Sequence, residues 1–144
     1  MIIAIGSDHT ALELRHAVKE HLESCGHMVN DLGTHQSTRT DYPLQAKAVA
    51  HAIQAGEADK GVLICGTGIG MAMAATKFNG IRAASVSEPY SAKMAVEHNN
   101  ANIICFGARV VGDELAKMIV DTFFNATYQE GRHARRVALI DSYE

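Results

Sequence analysis

Apolar residues along this chain fall into short unbroken runs and into longer stretches where they recur every third or fourth position. Those are the signatures of buried strands and of amphipathic helices. Ile2-Ile3-Ala4-Ile5 is a run closed by Gly6 and predicts a strand. From Thr10, the residues Ala11, Leu14, Val18 and Leu22 share one helical face, and Gly26 is placed to stop that helix. His27 to Leu32 reads as a second strand. Gly33 to Pro43 is rich in turn residues and leads into an Ala-rich helix that ends near Gly56.

Gly61-Val62-Leu63-Ile64-Cys65 predicts a third strand. The turn Gly66-Thr67-Gly68-Ile69-Gly70 follows it and opens a short helix with Met71, Met73 and Ala74. A strand over Ile81 to Val86, a helix from about Pro89 to His98 and a strand over Asn102 to Phe106 continue the alternation. A helix from Asp113 to about Asn125 and a basic, helical tail close the chain. Strands alternating with helices imply a five-stranded parallel sheet covered on both faces, an α/β/α sandwich.

Composition narrows the class. The 144 residues predict one domain over 1–144, since roughly 100–200 residues make a domain. With 47% hydrophobic and 20% charged residues the chain can build an ordinary core. A formal net charge of −3 gives no general pull toward nucleic acid or anionic membrane. No basic region precedes a long apolar stretch at the N-terminus, and no run reaches the ~20 apolar residues of a membrane span. Cys25, Cys65 and Cys105 form no CxxC pair and are odd in number, so a disulfide framework is not expected. The expectation is a reduced, cytoplasmic protein.

Ligands of open parallel sheets bind beyond the carboxyl ends of the strands. The reactive residues of this sequence cluster there: Gly6-Ser7-Asp8-His9, then Cys65 to Gly70, then Gly107-Ala108-Arg109. These three strand ends should converge on one cleft. A cysteine at a strand terminus before a helix start faces unpaired backbone N–H groups, and the positive helix end favours thiolate. Glycines there let several N–H groups approach a developing oxyanion. A base beside an oxyanion pocket is what proton abstraction next to a carbonyl requires.

The remaining candidates are weaker taken singly. Cys105 lies within an apolar run and reads as core, and Cys25 reads as a helix-end residue beside Gly26. Among eight histidines no HExxH pair or zinc-like Cys/His spacing occurs. Solvated or neutral settings account for His16, His21, His27, His35 and His51. His9 differs in sitting beside Asp8 after a strand. His98 differs in ending a helix, where the dipole favours imidazolium and suits acid–base work. In the tail, Arg132 and Arg136 are one helical turn apart and could grip a dianionic phosphate, with charge-assisted hydrogen bonds of about 1.5–3 kcal/mol each.

Seven segments in register carry a resemblance over essentially the whole chain. They are Gly6 to His9, Arg39-Thr40-Asp41-Tyr42-Pro43, Cys65 to Gly70, Ser87-Glu88-Pro89-Tyr90-Ser91-Ala92, His98-Asn99, Phe106 to Arg109 and Gly131-Arg132-His133. The chain resembles the type B ribose-5-phosphate isomerases, a family shared with galactose-6-phosphate isomerase subunits. The resemblance implies a Rossmann-like fold and a homodimer, sometimes paired into tetramers, with a tail from about residue 126 reaching the partner. It implies an aldose–ketose isomerase acting on ribose 5-phosphate, with no metal and no cofactor. Cys65 would be the base moving a proton between C2 and C1, and His98 the acid that opens the furanose ring. Gly66, Thr67, Gly68, Ile69 and Gly70 would hold the enediolate, and Asp8 the sugar hydroxyls. His9, Arg132 and Arg136 would hold the phosphate, while Asn99 and Arg109 complete the contacts and Tyr42 is a further candidate. One departure is Ser7, where many relatives carry a second cysteine.

Other substrates within the family are allose 6-phosphate, galactose 6-phosphate and four-carbon sugar phosphates. Two rivals belong to other classes. A nucleotide-binding module would use the glycine turn for phosphate, but neither GxGxxG nor GxxxxGK[ST] spacing occurs. A thiol redox sensor would need a resolving cysteine, and none lies near Cys65 in sequence.

Overall fold

A computed structural model of the chain describes residues 1–33 and 39–143. Its strands are β1 (Ile2–Ser7), β2 (Met28–Asp31), β3 (Lys60–Cys65), β4 (Ala83–Ser85) and β5 (Ile103–Gly107). All pair in parallel, in the spatial order β2-β1-β3-β5-β4. The helices are α1 (Leu12–Ser24), α2 (Tyr42–Gln54), α3 (Ile69–Ala75), α4 (Pro89–Glu97), α5 (Asp113–Asn125) and α6 (Arg132–Ser142). This is the covered parallel sheet that the alternation implied and the Rossmann-like three-layer sandwich that the resemblance implied.

Side chains alternate between the two faces of a strand, and the core divides accordingly. Val62 and Ile64 of β3 join the cluster under α1, α4 and α5, whereas Leu63 and Cys65 join the one under α2 and α3. The face read for the first helix is the buried one: Leu14, Val18 and Leu22 point inward, after a 3₁₀ turn over His9–Ala11. Gly26 follows α1 with φ +92°, a left-handed conformation that glycine adopts freely.

Strand boundaries differ from the sequence reading in several places, among them β1, β4 and β2. Gly6 does not end β1; the ladder to β3 continues through Gly6 and Ser7, and a Cβ on Gly6 would sit 3.1 Å from Val49 of α2. β4 is shorter than Ile81 to Val86. Ile81 turns into the α2/α3 core, and the Arg82 amide donates to Asn102 Oδ1 at 2.8 Å rather than to the ladder. β2, an edge strand, keeps only Met28 to Asp31, with Met28 exposed. Part of the turn-rich segment, including His35, lies outside the described residues. Among the described residues, no helix is long and apolar enough to cross a membrane.

Phe123 of α5 tests the larger core. It is fully buried, meets Phe124 edge-on at 5.0 Å and carries Lys60 Nζ 4.9 Å above its ring. Phe123→Ala should cost about 3–5 kcal/mol in denaturant unfolding. A loss below about 1 kcal/mol would contradict this packing.

Candidate active site

The chain leaves β1 toward β2 on one side and leaves β3 toward β4 on the other, so a crevice opens between the carboxyl ends of β1 and β3. Backbone hydrogen bonds fasten the three predicted strand ends to one another. The Asp8 amide donates to the Ile64 carbonyl at 3.2 Å, and the Ala108 and Arg109 amides donate to the Cys65 and Gly66 carbonyls at 2.8 and 3.1 Å. The strand ends after β1, β3 and β5 therefore converge as expected.

Cys65, the last residue of β3, is 5% exposed, and its Sγ accepts the Gly68 amide at 3.1 Å. Gly68 caps α3 at φ +81°, and a Cβ there would lie 2.6 Å from the Phe106 backbone. A Cβ on Gly107 would in turn lie 2.5 Å from the Gly66 carbonyl oxygen. Only glycines allow the turn and the end of β5 to approach this closely. The amide of Ile69 donates to Thr67 Oγ1 at 3.2 Å, which tightens the same turn.

Beside this turn lies a cleft of about 660 Å³ whose lining includes Asp8, His9, Arg39, Tyr42 and Arg109. Asp8 is nearly buried; its Oδ1 accepts the Thr10 amide and hydroxyl at 3.0 and 2.6 Å, so it caps the turn that starts α1. His9 Nδ1 accepts the Thr40 amide at 3.1 Å. A neutral ring therefore carries its proton on Nε2 as a hydrogen-bond donor. The Tyr42 ring packs on Gly70, where a Cβ would come within 2.6 Å of it, and the Arg109 side chain lies over Gly66.

The other predicted residues are elsewhere in the chain. His98 is the C-cap of α4, ahead of β5, whereas Cys65 lies level with the far end of β5 through its pairing with Gly107. The length of β5 alone separates those levels by about 13 Å. His98 stacks on His133 of α6, with ring centroids 4.2 Å apart and planes within 12°. Arg132 and Arg136 flank His133 as exposed residues, and Asn99 lines a second cavity of about 560 Å³ with Arg82 and Asp141. The tail is held on its own chain by Gln129, which bonds the Glu97 backbone and carboxylate at 3.0 Å, and by the Arg82–Asp141 ion pair at 3.1 Å. One chain thus brings together Asp8, His9, Tyr42, Arg109 and the Cys65 turn, and keeps His98, Asn99, Arg132 and Arg136 apart from them.

Several residues gain roles that sequence reasoning missed. Arg39, Thr40 and Asp41 line the cleft beside Tyr42, and the signal for them was the quoted segment Arg39 to Pro43. Ser7 is fully buried and its Oγ accepts Arg15 Nη1 at 2.7 Å, so the departure at this position is occupied by a structural contact. Burial, with Cys65 nearby, pushes the Cys105 thiol far up, so Cys105 behaves as the core residue expected. His21 is not on a solvated face. It is half-buried and pairs with Asp121 of α5 at 2.7 Å, a partner that only tertiary packing supplies.

Comparison with known proteins agrees over the whole chain. A family profile described as Ribose/Galactose Isomerase matches residues 3–140. Ribose-5-phosphate isomerase B of Escherichia coli K12 is 53% identical over 142 residues, 99% of this chain and 95% of that one. The galactose-6-phosphate isomerase subunit LacB of Clostridium acetobutylicum is 42% identical, covering 95% of this chain and 79% of that one. Among solved structures, ribose-5-phosphate isomerase B of Clostridium thermocellum superposes with a TM-score of 0.96 at 48% identity, covering 98% of this chain and 95% of that one.

The His98–His133 stack predicts a pH dependence. Burial first, then the charges of His98, Arg132 and Arg136, hold the His133 imidazole below its ordinary value of 6.5. The unfolded chain then binds the proton more readily than the folded one. Stability contributed here is present above that ordinary value and is lost as pH falls from it through the lowered value of the folded chain. Acidifying from about pH 7.5 to about 5.5 should therefore lower the thermal midpoint of the native chain more steeply than that of His133→Gln. Equal slopes would contradict this assignment.

Proposed function

We propose that this chain, which belongs to the ribose/galactose isomerase family, interconverts ribose 5-phosphate and ribulose 5-phosphate, a step of the pentose phosphate pathway. The observation that carries the reading is the strand-end thiol of Cys65, held by the Gly68 amide at 3.1 Å beside a cleft furnished with Asp8, His9 and Arg109. A reaction run through a free thiol suits the reducing cytoplasm.

In this reading the ring opens first: the bond from C1 to the ring oxygen breaks as His98 protonates that oxygen, and the C1 hydroxyl gives its proton to Asp8, which leaves the aldehyde. Cys65 Sγ then takes the proton from C2. The C2–H electrons form the enediolate, whose negative oxygen is held by the turn over Gly66 to Gly70. The Cys65 thiol exchanges its proton with solvent and then protonates C1, while a hydroxyl proton moves from O2 to O1, which leaves the ketose. Proton transfer by a positioned group of this kind contributes about 10²–10⁴-fold to rate.

His98, Asn99, Arg132 and Arg136 stand at the opposite end of their own sheet, so a second copy of the chain supplies them. The tail from about residue 126 reaches that copy in a homodimer, which itself pairs into tetramers in some relatives. His9 of one chain and the Arg132–Arg136 pair of the other then hold the phosphate between them. Apolar residues left exposed near the cleft, Leu44, Ile69 and Met73, suit such an interface. Single-domain organisation over 1–144 is part of the same proposal.

The test is proton NMR of ribose 5-phosphate in D₂O with chelator present. Ribulose 5-phosphate should form with deuterium entering at C1, and Cys65→Ala should slow turnover by about 10²–10⁴-fold. Conversion of another sugar phosphate in its place would reassign the substrate. Inactivity on allose, galactose and four-carbon sugar phosphates as well would overturn the isomerase reading.

A further inference from the structure

A second cluster of metal-ligating groups lies on the outer helical layer, away from the cleft. His21 and Cys25 are one turn apart at the end of α1, and Asp121 faces them from α5 across a sequence separation of 100. His21 Nε2 is 2.7 Å from Asp121 Oδ1 and 3.9 Å from Cys25 Sγ, and the three ligand atoms lie within 4.8 Å of one another. His21 and Asp121 are half-buried, whereas Cys25 is exposed.

We infer that His21, Cys25 and Asp121 form a zinc site that braces α1 against α5. The donor set is thiolate, imidazole and carboxylate, three ligand types that zinc takes together with a water in the fourth position. A tetrahedral ion holding these donors separates them by about 3.3–3.6 Å. Closing the cluster therefore needs Nε2 and Oδ1 to part by roughly 0.6 Å, and Sγ to move in by about 0.3 Å toward Nε2 and up to about 1.2 Å toward the carboxylate. Four residues apart, His21 and Cys25 present both donors on one side of the end of α1. Zinc replaces the proton shared between Nε2 and the carboxylate and displaces the proton of the Cys25 thiol.

The site is distinct from the isomerase chemistry. Cys25 comes just before β2 begins, at the end of the sheet opposite Cys65. Its effect is on stability, because a ligand that binds the folded chain stabilises it by mass action. Sequence spacing alone conceals the site, since the third donor arrives from a distant helix.

Cobalt(II) is the probe, added to chelator-stripped, phosphine-reduced protein. One equivalent per chain should produce tetrahedral d–d bands and a sulfur-to-cobalt charge-transfer band. That band should be lost in Cys25→Ser and retained in Cys65→Ala, and Asp121→Asn should weaken binding by about tenfold or more. Zinc should raise the thermal midpoint of the native chain and not that of Cys25→Ser, with isomerase turnover unchanged in the variant. Absence of the thiolate band, its persistence in Cys25→Ser, or equal stabilisation of both proteins by zinc would overturn the assignment.

Discussion

The close approach of the turn after β3 to the end of β5 is the constraint on which the cleft depends. Gly68 and Gly107 interlock so tightly that a single Cβ on either would overlap backbone of the other segment, at 2.6 and 2.5 Å respectively. That contact presents the Gly68 amide to the Cys65 sulfur and brings Arg109 over Gly66. Hydrogen bonds from Asp8 to Ile64 and from Ala108 to Cys65 then tie β1, β3 and β5 into one rigid rim. The chemistry proposed for the thiol follows from this backbone geometry more than from any property of cysteine itself.

A parallel sheet sends every strand end in one direction, and this has a consequence for His98, the acid of the proposed reaction. Residues that follow strands gather at the cleft, while residues that precede them gather at the other end. Cys65 is of the first kind and His98 of the second. No local rearrangement of a loop exchanges the two ends of a strand. On the proposed reading a site using both is built from two chains, and Gln129, His133 and Asp141 dock α6, with its Arg132–Arg136 pair, on its own chain.

Much of this was legible in the sequence because it is periodic or local. The α1 face of Leu14, Val18 and Leu22 and the span of α5 follow from spacing alone, and the glycine turn after Cys65 follows from its composition. The residues proposed for the site were assembled only through the family resemblance, since the spacing of Arg132 and Arg136 alone reads better as a solvated helix end. What the sequence concealed is tertiary. Nothing local reveals that Gly6 sits inside a strand against Val49, that Ser7 receives Arg15, or that His21 meets Asp121.

Subunit complementation tests the composite site most directly. Cys65→Ala and His98→Asn proteins, each inactive alone, are unfolded together, refolded and assayed on ribose 5-phosphate. If one chain supplies the thiol and the other the imidazole, mixed dimers contain one intact site, and random pairing restores roughly a quarter of native activity. If the mixture contains mixed dimers yet stays inactive, both groups act within a single chain and the account is contradicted.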